Sequence, residues 1–127
     1  MLINYNPNPE QRAVGDCAIR ALTKALNLGW YEVYIKLALQ GLIMGDMPNS
    51  NAVIGAFLRA NGFVKRTPPN DCPDCYTVDD FCNEHPNGTF LIFVNNHILC
   101  AKDGCVFDTW DSTHEIPIYY FEKENKE

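Results

Sequence analysis

Thr89-Phe90-Leu91-Ile92-Phe93-Val94-Asn95-Asn96-His97-Ile98-Leu99-Cys100-Ala101-Lys102-Asp103-Gly104-Cys105-Val106-Phe107-Asp108-Thr109-Trp110 is the stretch that decides the fold. Its first six residues are an unbroken apolar run, the pattern of a strand covered on both faces. Asp103-Gly104 is a strong hairpin signal between two strand-like segments, so strands are expected over 89–94, 97–101 and 105–110. A last strand is expected over 116–121, with Pro117 placing it at an edge or delaying its start. A two-residue loop at Asp103-Gly104 sets Lys102 opposite Cys105 and His97 opposite Trp110. Asp108 then falls on the same face as His97, one diagonal step away, and Asp111 points to the other face. A three-residue loop would reverse that parity.

Upstream the period changes. Residues 1–15, rich in Asn and Pro, read as an irregular N-terminal arm. From Asp16 onward, Ala18, Ile19, Leu22, Ala25 and Leu26 recur at helical spacing, and Asp16 suits an N-cap whose carboxylate accepts from free amides. Asn27 and Gly29 end that helix. A second carries Trp30, Val33, Tyr34 and Leu37 on one face, with Gly41 as its expected stop. Pro48-Asn49-Ser50 opens a third, whose apolar face is Val53, Ala56, Phe57 and Ala60, and Gly62 fits the left-handed position beyond its end. Trp30, Tyr34, Phe57 and Phe63 are expected to be packing residues. Phe63-Val64 leads into a turn-rich stretch, after which Thr77 and Asp80 form a capping box for a short helix closed by Pro86. Helices first and strands last predict one α+β domain over 1–127 with a largely antiparallel sheet. The charged tail, 122–127, is expected to fray.

Bulk properties narrow the function. The 127 residues suit one domain, and 46% hydrophobic with 20% charged residues is ordinary globular composition. A net charge of −6 with no basic cluster argues against nucleic acid. No apolar run is long enough to span a membrane, and the first residues lack the pattern of a secretory signal. A cytoplasmic protein with reduced thiols is therefore expected for a chain with six Cys.

Cys17 carries the first chemical signal. It lies just inside a helix start, where the macrodipole and free amides favour an anion, and the thiolate is the nucleophilic form. Asp16 beside it opposes a thiolate unless its charge is engaged elsewhere. His97 opens a strand after Asn95-Asn96 and should lie at the sheet rim. His85 at a helix end and His114 in a polar loop suit a base less well. Asp108 then orients His97 so that the far ring nitrogen can take the thiol proton.

Cys, His and Asp in that order, with Cys at a helix start and the other two on a following sheet, resemble papain-like cysteine peptidases. Gln11, six residues before Cys17, and Asp16-Cys17 resemble the opening motif of the bacteriocin-processing peptidases within that superfamily. Gly15-Asp16-Cys17-Ala18-Ile19-Arg20-Ala21-Leu22 is also similar to small papain-like proteins of bacteria and their phages. The similarity covers the Cys helix and the segment from His97 to Asp111. Ala18 stands where many of those peptidases have Gly, Asp108-Thr109 replaces the familiar Asp-Pro, and the C-G-[SA]-C-[WY] signature is absent. The resemblance implies a papain-like fold and hydrolysis of a peptide or protein substrate without a cofactor. It also implies an oxyanion hole formed by the Gln11 side-chain amide and the Cys17 backbone N–H.

Two other functions fit the same residues. One is a catalytically inactive papain-like module that binds a peptide or protein. The other is an interaction domain stapled by zinc at Cys72-Pro73-Asp74-Cys75. A tetrahedral site there needs two more ligands; Cys82 and His85, three residues apart on one helix, complete the best set, ahead of Cys100 and Cys105. Because Phe81 and Cys82 are wanted by the core, the expectation is that no metal is bound.

Overall fold

The computed structural model describes residues 1–69 and 76–124. Its elements are β1 (Leu2–Asn4), α1 (Cys17–Leu26), α2 (Trp30–Met44), α3 (Asn51–Ala60), β2 (Phe63–Arg66), α4 (Val78–Glu84), β3 (Thr89–Val94), β4 (His97–Lys102), β5 (Cys105–Asp108) and β6 (Tyr119–Lys123). This is an α+β arrangement of four helices and a six-stranded mixed sheet of order β1-β5-β4-β3-β6-β2. Every pairing is antiparallel except that of β1 with β5. No helix among the described residues is long and apolar enough to cross a membrane.

The continuous apolar run of β3 has two faces to fill. Leu91 and Phe93 join Ala21 and Leu22 of α1, Val33 and Leu37 of α2, and Ile54 and Leu58 of α3 in one core. Phe90, Ile92 and Val94 point the other way, toward Val78, Phe81 and Cys82 of α4. Leu22, Leu91 and Ile92 are wholly buried, each worth roughly 1.5–3 kcal/mol of hydrophobic transfer. The Thr77–Asp80 capping box is formed in both directions. Ser50 caps α3 by accepting from the Val53 N–H, and Gly62 adopts φ +85° beyond its end.

Lys102 pairs with Cys105 across Asp103-Gly104, so the hairpin has the two-residue loop. Both loop residues have positive φ, 51° and 79°, as the favoured tight turn requires.

Several expectations are corrected. The arm over 1–15 is not wholly irregular: β1 pairs with Val106, Phe107 and Asp108 through its backbone, and three residues carry too little pattern to announce a strand. Phe63 to Arg66 also form a strand rather than the approach to a loop. Gly41 does not stop α2, which continues to Met44 and closes on Gly45 at φ +68°. Gly41 instead permits a close approach, since a Cβ there would lie 2.8 Å from the Asp46 carbonyl oxygen and 3.1 Å from the Pro48 nitrogen. Tyr34 is exposed rather than packed in the core, as are Tyr31, Ile35, Leu42 and Ile43 on the same helix. β5 ends at Asp108 instead of Trp110 because the Thr109 N–H donates to the Asp108 carboxylate at 2.8 Å. Of the two effects expected of Pro117 the late start is the one found: β6 begins at Tyr119, and it lies between β3 and β2. Its Glu122 and Lys123, expected in a frayed tail, pair with Val64 and Phe63.

Candidate active site

Cys17 is the first residue of α1. Asp16 precedes it but makes no side-chain cap, contrary to expectation. Its carboxylate accepts from Trp30 Nε1 at 2.9 Å and from Arg20 Nη1. The reason is chemical: a guanidinium one turn along the helix is a stronger partner for a buried carboxylate than a backbone amide. The first-turn amides around Cys17 therefore keep their partial positive charge for another anion.

His97 heads β4, where the Asn95-Asn96 turn delivers it with Asn96 at φ +56°. Asn tolerates that left-handed conformation better than most residues. The imidazole is almost buried, and its Nε2 lies 2.6 Å from Asp108 Oδ2. The Trp110 ring centroid is 4.8 Å from that of His97, which keeps these two residues opposite each other although β5 has ended. With Nε2 committed to Asp108, Nδ1 is the ring nitrogen left for Cys17.

The three side chains shift one another's protonation. Burial opposes the Cys17 thiolate, but hydrogen bonds from His97 and the Ile98 backbone N–H, with the charges of His97 and Arg20, bring the thiol below its ordinary value. Burial likewise opposes the imidazolium, yet hydrogen bonds to Asp108 and Cys17 prevail and raise His97 to about 9. Asp108 is lowered despite burial, by hydrogen bonds from His97, Ser112 and the Thr109 N–H and by the His97 charge. Together these shifts favour a thiolate–imidazolium pair. The other buried thiols contrast: burial pushes Cys82 up to about 11 and Cys100 to about 12.

Asp108, rather than Asp111, meets His97. Asp111 is exposed and accepts from the Thr113 N–H and hydroxyl. A cleft of about 330 Å³ opens beside Cys17 and His97, with Asn49, Asn51 and Asn96 among its lining residues. Gln11 does not reach it. Its side-chain amide donates to the Asn6 and Asn8 carbonyls at 3.1 and 3.0 Å, and its own φ is +57°. The arm's turn thus engages the donor expected in the oxyanion hole, while the Cys17 N–H stays at the helix head.

Arg20 and Ser112 belong to the site and were not given a role from sequence, and Trp30, expected only to pack, joins them through its bond to Asp16. Arg20 could have been given one: it falls beside the apolar positions of α1 and four residues after Asp16, the spacing of a helical ion pair. Ser112 and Trp30 offered no comparable signal.

Cys72 and Cys75, the core of the zinc alternative, lie outside the described residues. Of the other proposed ligands, Cys82 is buried in the core, and His85 stacks on Phe81 at 4.0 Å with Nδ1 against the Phe81 carbonyl. No group of three or more His, Cys, Asp or Glu side chains among the described residues is placed to hold a metal ion. No family model, curated protein or solved structure matches the chain.

Proposed function

We propose that this chain is a papain-like cysteine peptidase or a related thiol-dependent amide hydrolase, with Cys17 as nucleophile, His97 as acid–base and Asp108 as orienting carboxylate. One observation carries the reading: His97 Nε2 lies 2.6 Å from Asp108 Oδ2, and His97 lines one open cleft together with Cys17, which stands at a helix head. That arrangement supplies a nucleophile, a base and a group to orient the base.

In the forward step the Cys17 sulfur attacks a substrate carbonyl carbon and the carbonyl electron pair moves to oxygen. The Cys17 N–H donates to that oxyanion. Collapse breaks the C–N bond, and the His97 imidazolium delivers its proton to the leaving amine, leaving a thioester on Cys17. Water then attacks the thioester with neutral His97 as base, releasing a carboxylic acid and returning the proton to the pair. The substrate expected is a peptide or protein, and no step calls for a cofactor.

The test is covalent trapping. The full chain is incubated with a panel of peptidyl vinyl sulfones and peptidyl aminomethylcoumarins, and adducts are located by peptide mass mapping. A vinyl sulfone adduct on Cys17, lost in His97→Ala, is expected. Absence of both adduct and turnover, with Cys17 behaving as an ordinary thiol, would favour a binding module instead.

A further inference from the structure

We propose that Arg20 is a positioning residue for the Cys17–His97–Asp108 set: braced between Asp16 and Asp108, it holds the Asp108 carboxylate in the one orientation that aims an oxygen at His97. The proposal rests on the reading of those three residues as catalytic.

The Asp108 side chain is 1% exposed, and its two oxygens divide their partners. Oδ1 accepts from Arg20 Nη2 at 3.1 Å and from the Thr109 N–H at 2.8 Å. Oδ2 accepts from His97 Nε2 and from the Ser112 hydroxyl, both at 2.6 Å. A carboxylate has about four acceptor sites, so all are filled and rotation about the last side-chain bond would break charge-assisted contacts on both oxygens. Arg20 is the fully charged brace among these donors, and it is itself held from behind. Its Nη1 bonds Asp16 Oδ1, and Trp30 at the start of α2 donates to Asp16 Oδ2. All three charged side chains of this brace are almost wholly buried.

Charges therefore alternate along the chain of contacts, Asp16 negative, Arg20 positive and Asp108 negative, with His97, raised to about 9, against the far oxygen of Asp108. Buried charges persist only when paired, and the planar guanidinium fork spans two carboxylates where a lysine ammonium offers one point charge. The neighbouring cation on α1, Lys24, lies over the Phe107 and Tyr5 rings instead. A plain structural tie between α1 and β5 would use the same bonds, and the Arg20 charge also lowers Cys17 directly; Arg20→Lys keeps that charge and loses only the fork that spans two carboxylates, so it separates positioning from charge.

The discriminating readout is thus a pH profile. The full-length chain is alkylated with iodoacetamide from pH 5 to 9, and the rate at Cys17 is followed by peptide mass mapping for wild type, Arg20→Lys, Arg20→Met and the exposed-pair control Lys36→Met. The Cys17 inflection is expected to rise by about one unit in Arg20→Lys, a roughly tenfold lower rate at low pH, and further in Arg20→Met, with Lys36→Met superimposing on wild type. If the Arg20 variants do not fold by circular dichroism, Trp30→Phe replaces them; it frees Asp16 from α2 and should move the inflection the same way by less. An activated wild-type profile with superimposing Arg20 or Trp30 variants overturns this proposal alone, even if thermal stability falls. A wild-type Cys17 that titrates as an ordinary thiol overturns the catalytic reading and this proposal with it.

Discussion

Asp108 and Asp111 are both carboxylates on the same short segment, and their surroundings divide their roles. Asp108 is buried among four donors, whereas Asp111 is exposed and closes a local turn with Thr113. Changing Asp108 to Asn should therefore slow Cys17 alkylation or any hydrolysis on the order of a hundredfold, because the imidazole loses its charged partner and its fixed tautomer. Asp111→Asn should leave the rate within about twofold, as exposed turn substitutions usually do. His97 gives a second test by proton NMR. Its titration is expected near 9 in the wild type, and lower in Cys17→Ala and in Asp108→Asn, since each partner favours the imidazolium. The sign for stability follows from linkage. A raised imidazole contributes stability fully present below its unfolded value of about 6.5 and lost as pH rises through about 9. At this scale the parity of one tight hairpin was enough to choose Asp108 from sequence. Gln11 failed because a side chain's choice among nearby carbonyls depends on the arm's turn, which leaves no periodic trace.

Elements with a strong pattern were legible, and short or strained ones were not. The β3 run, the Asp103-Gly104 hairpin and the Thr77 capping box were readable because each has a local physical cause, whereas Asp16, read as a cap, gives its carboxylate to Arg20 and Trp30. β1 was not, since it holds its place by backbone hydrogen bonds: the Val106 N–H donates to the Met1 carbonyl and the Tyr5 N–H to the Asp108 carbonyl. Gly41 was read by composition as a stop, while its actual role lies in tertiary contact. In a free helix, Gly→Ala gains about 1 kcal/mol. Here the added Cβ would collide with backbone at Asp46 and Pro48, so Gly41→Ala should destabilise the fold by about 1–3 kcal/mol. Urea unfolding monitored by tryptophan fluorescence checks the sign; a gain in stability would show that the α2–α3 connection yields easily.

The whole molecule places the candidate site where its helical layer meets its sheet. α1 supplies Cys17 and Arg20, the residue before it is Asp16, and β4 and the end of β5 supply His97 and Asp108. The candidate site also bears on stability, because the buried Arg20–Asp108 ion pair joins the two layers. Asp108 is lowered on folding, so its contribution is present above the unfolded aspartate value of about 4 and lost as pH falls through the folded value. Thermal midpoints should thus fall in acid for the wild type and fall less steeply for Asp108→Asn, measured by circular dichroism from pH 2 to 6. The order of Cys17, His97 and Asp108 made the proposed set legible in the sequence, but its buried surroundings join residues far apart in the chain, Arg20 with Asp108 and Asp16 with Trp30, which periodicity cannot register.

The most direct test of the central claim is the alkylation rate of each thiol in the native wild-type chain at pH 6, resolved by peptide mass mapping. Helix-head position and the neighbouring His97 and Arg20 charges favour the Cys17 thiolate, whereas burial pushes Cys82 and Cys100 up. Cys17 is expected to react at least about tenfold faster than partly exposed Cys105, which tracks its larger thiolate fraction. Equal rates at Cys17 and Cys105 would contradict the account.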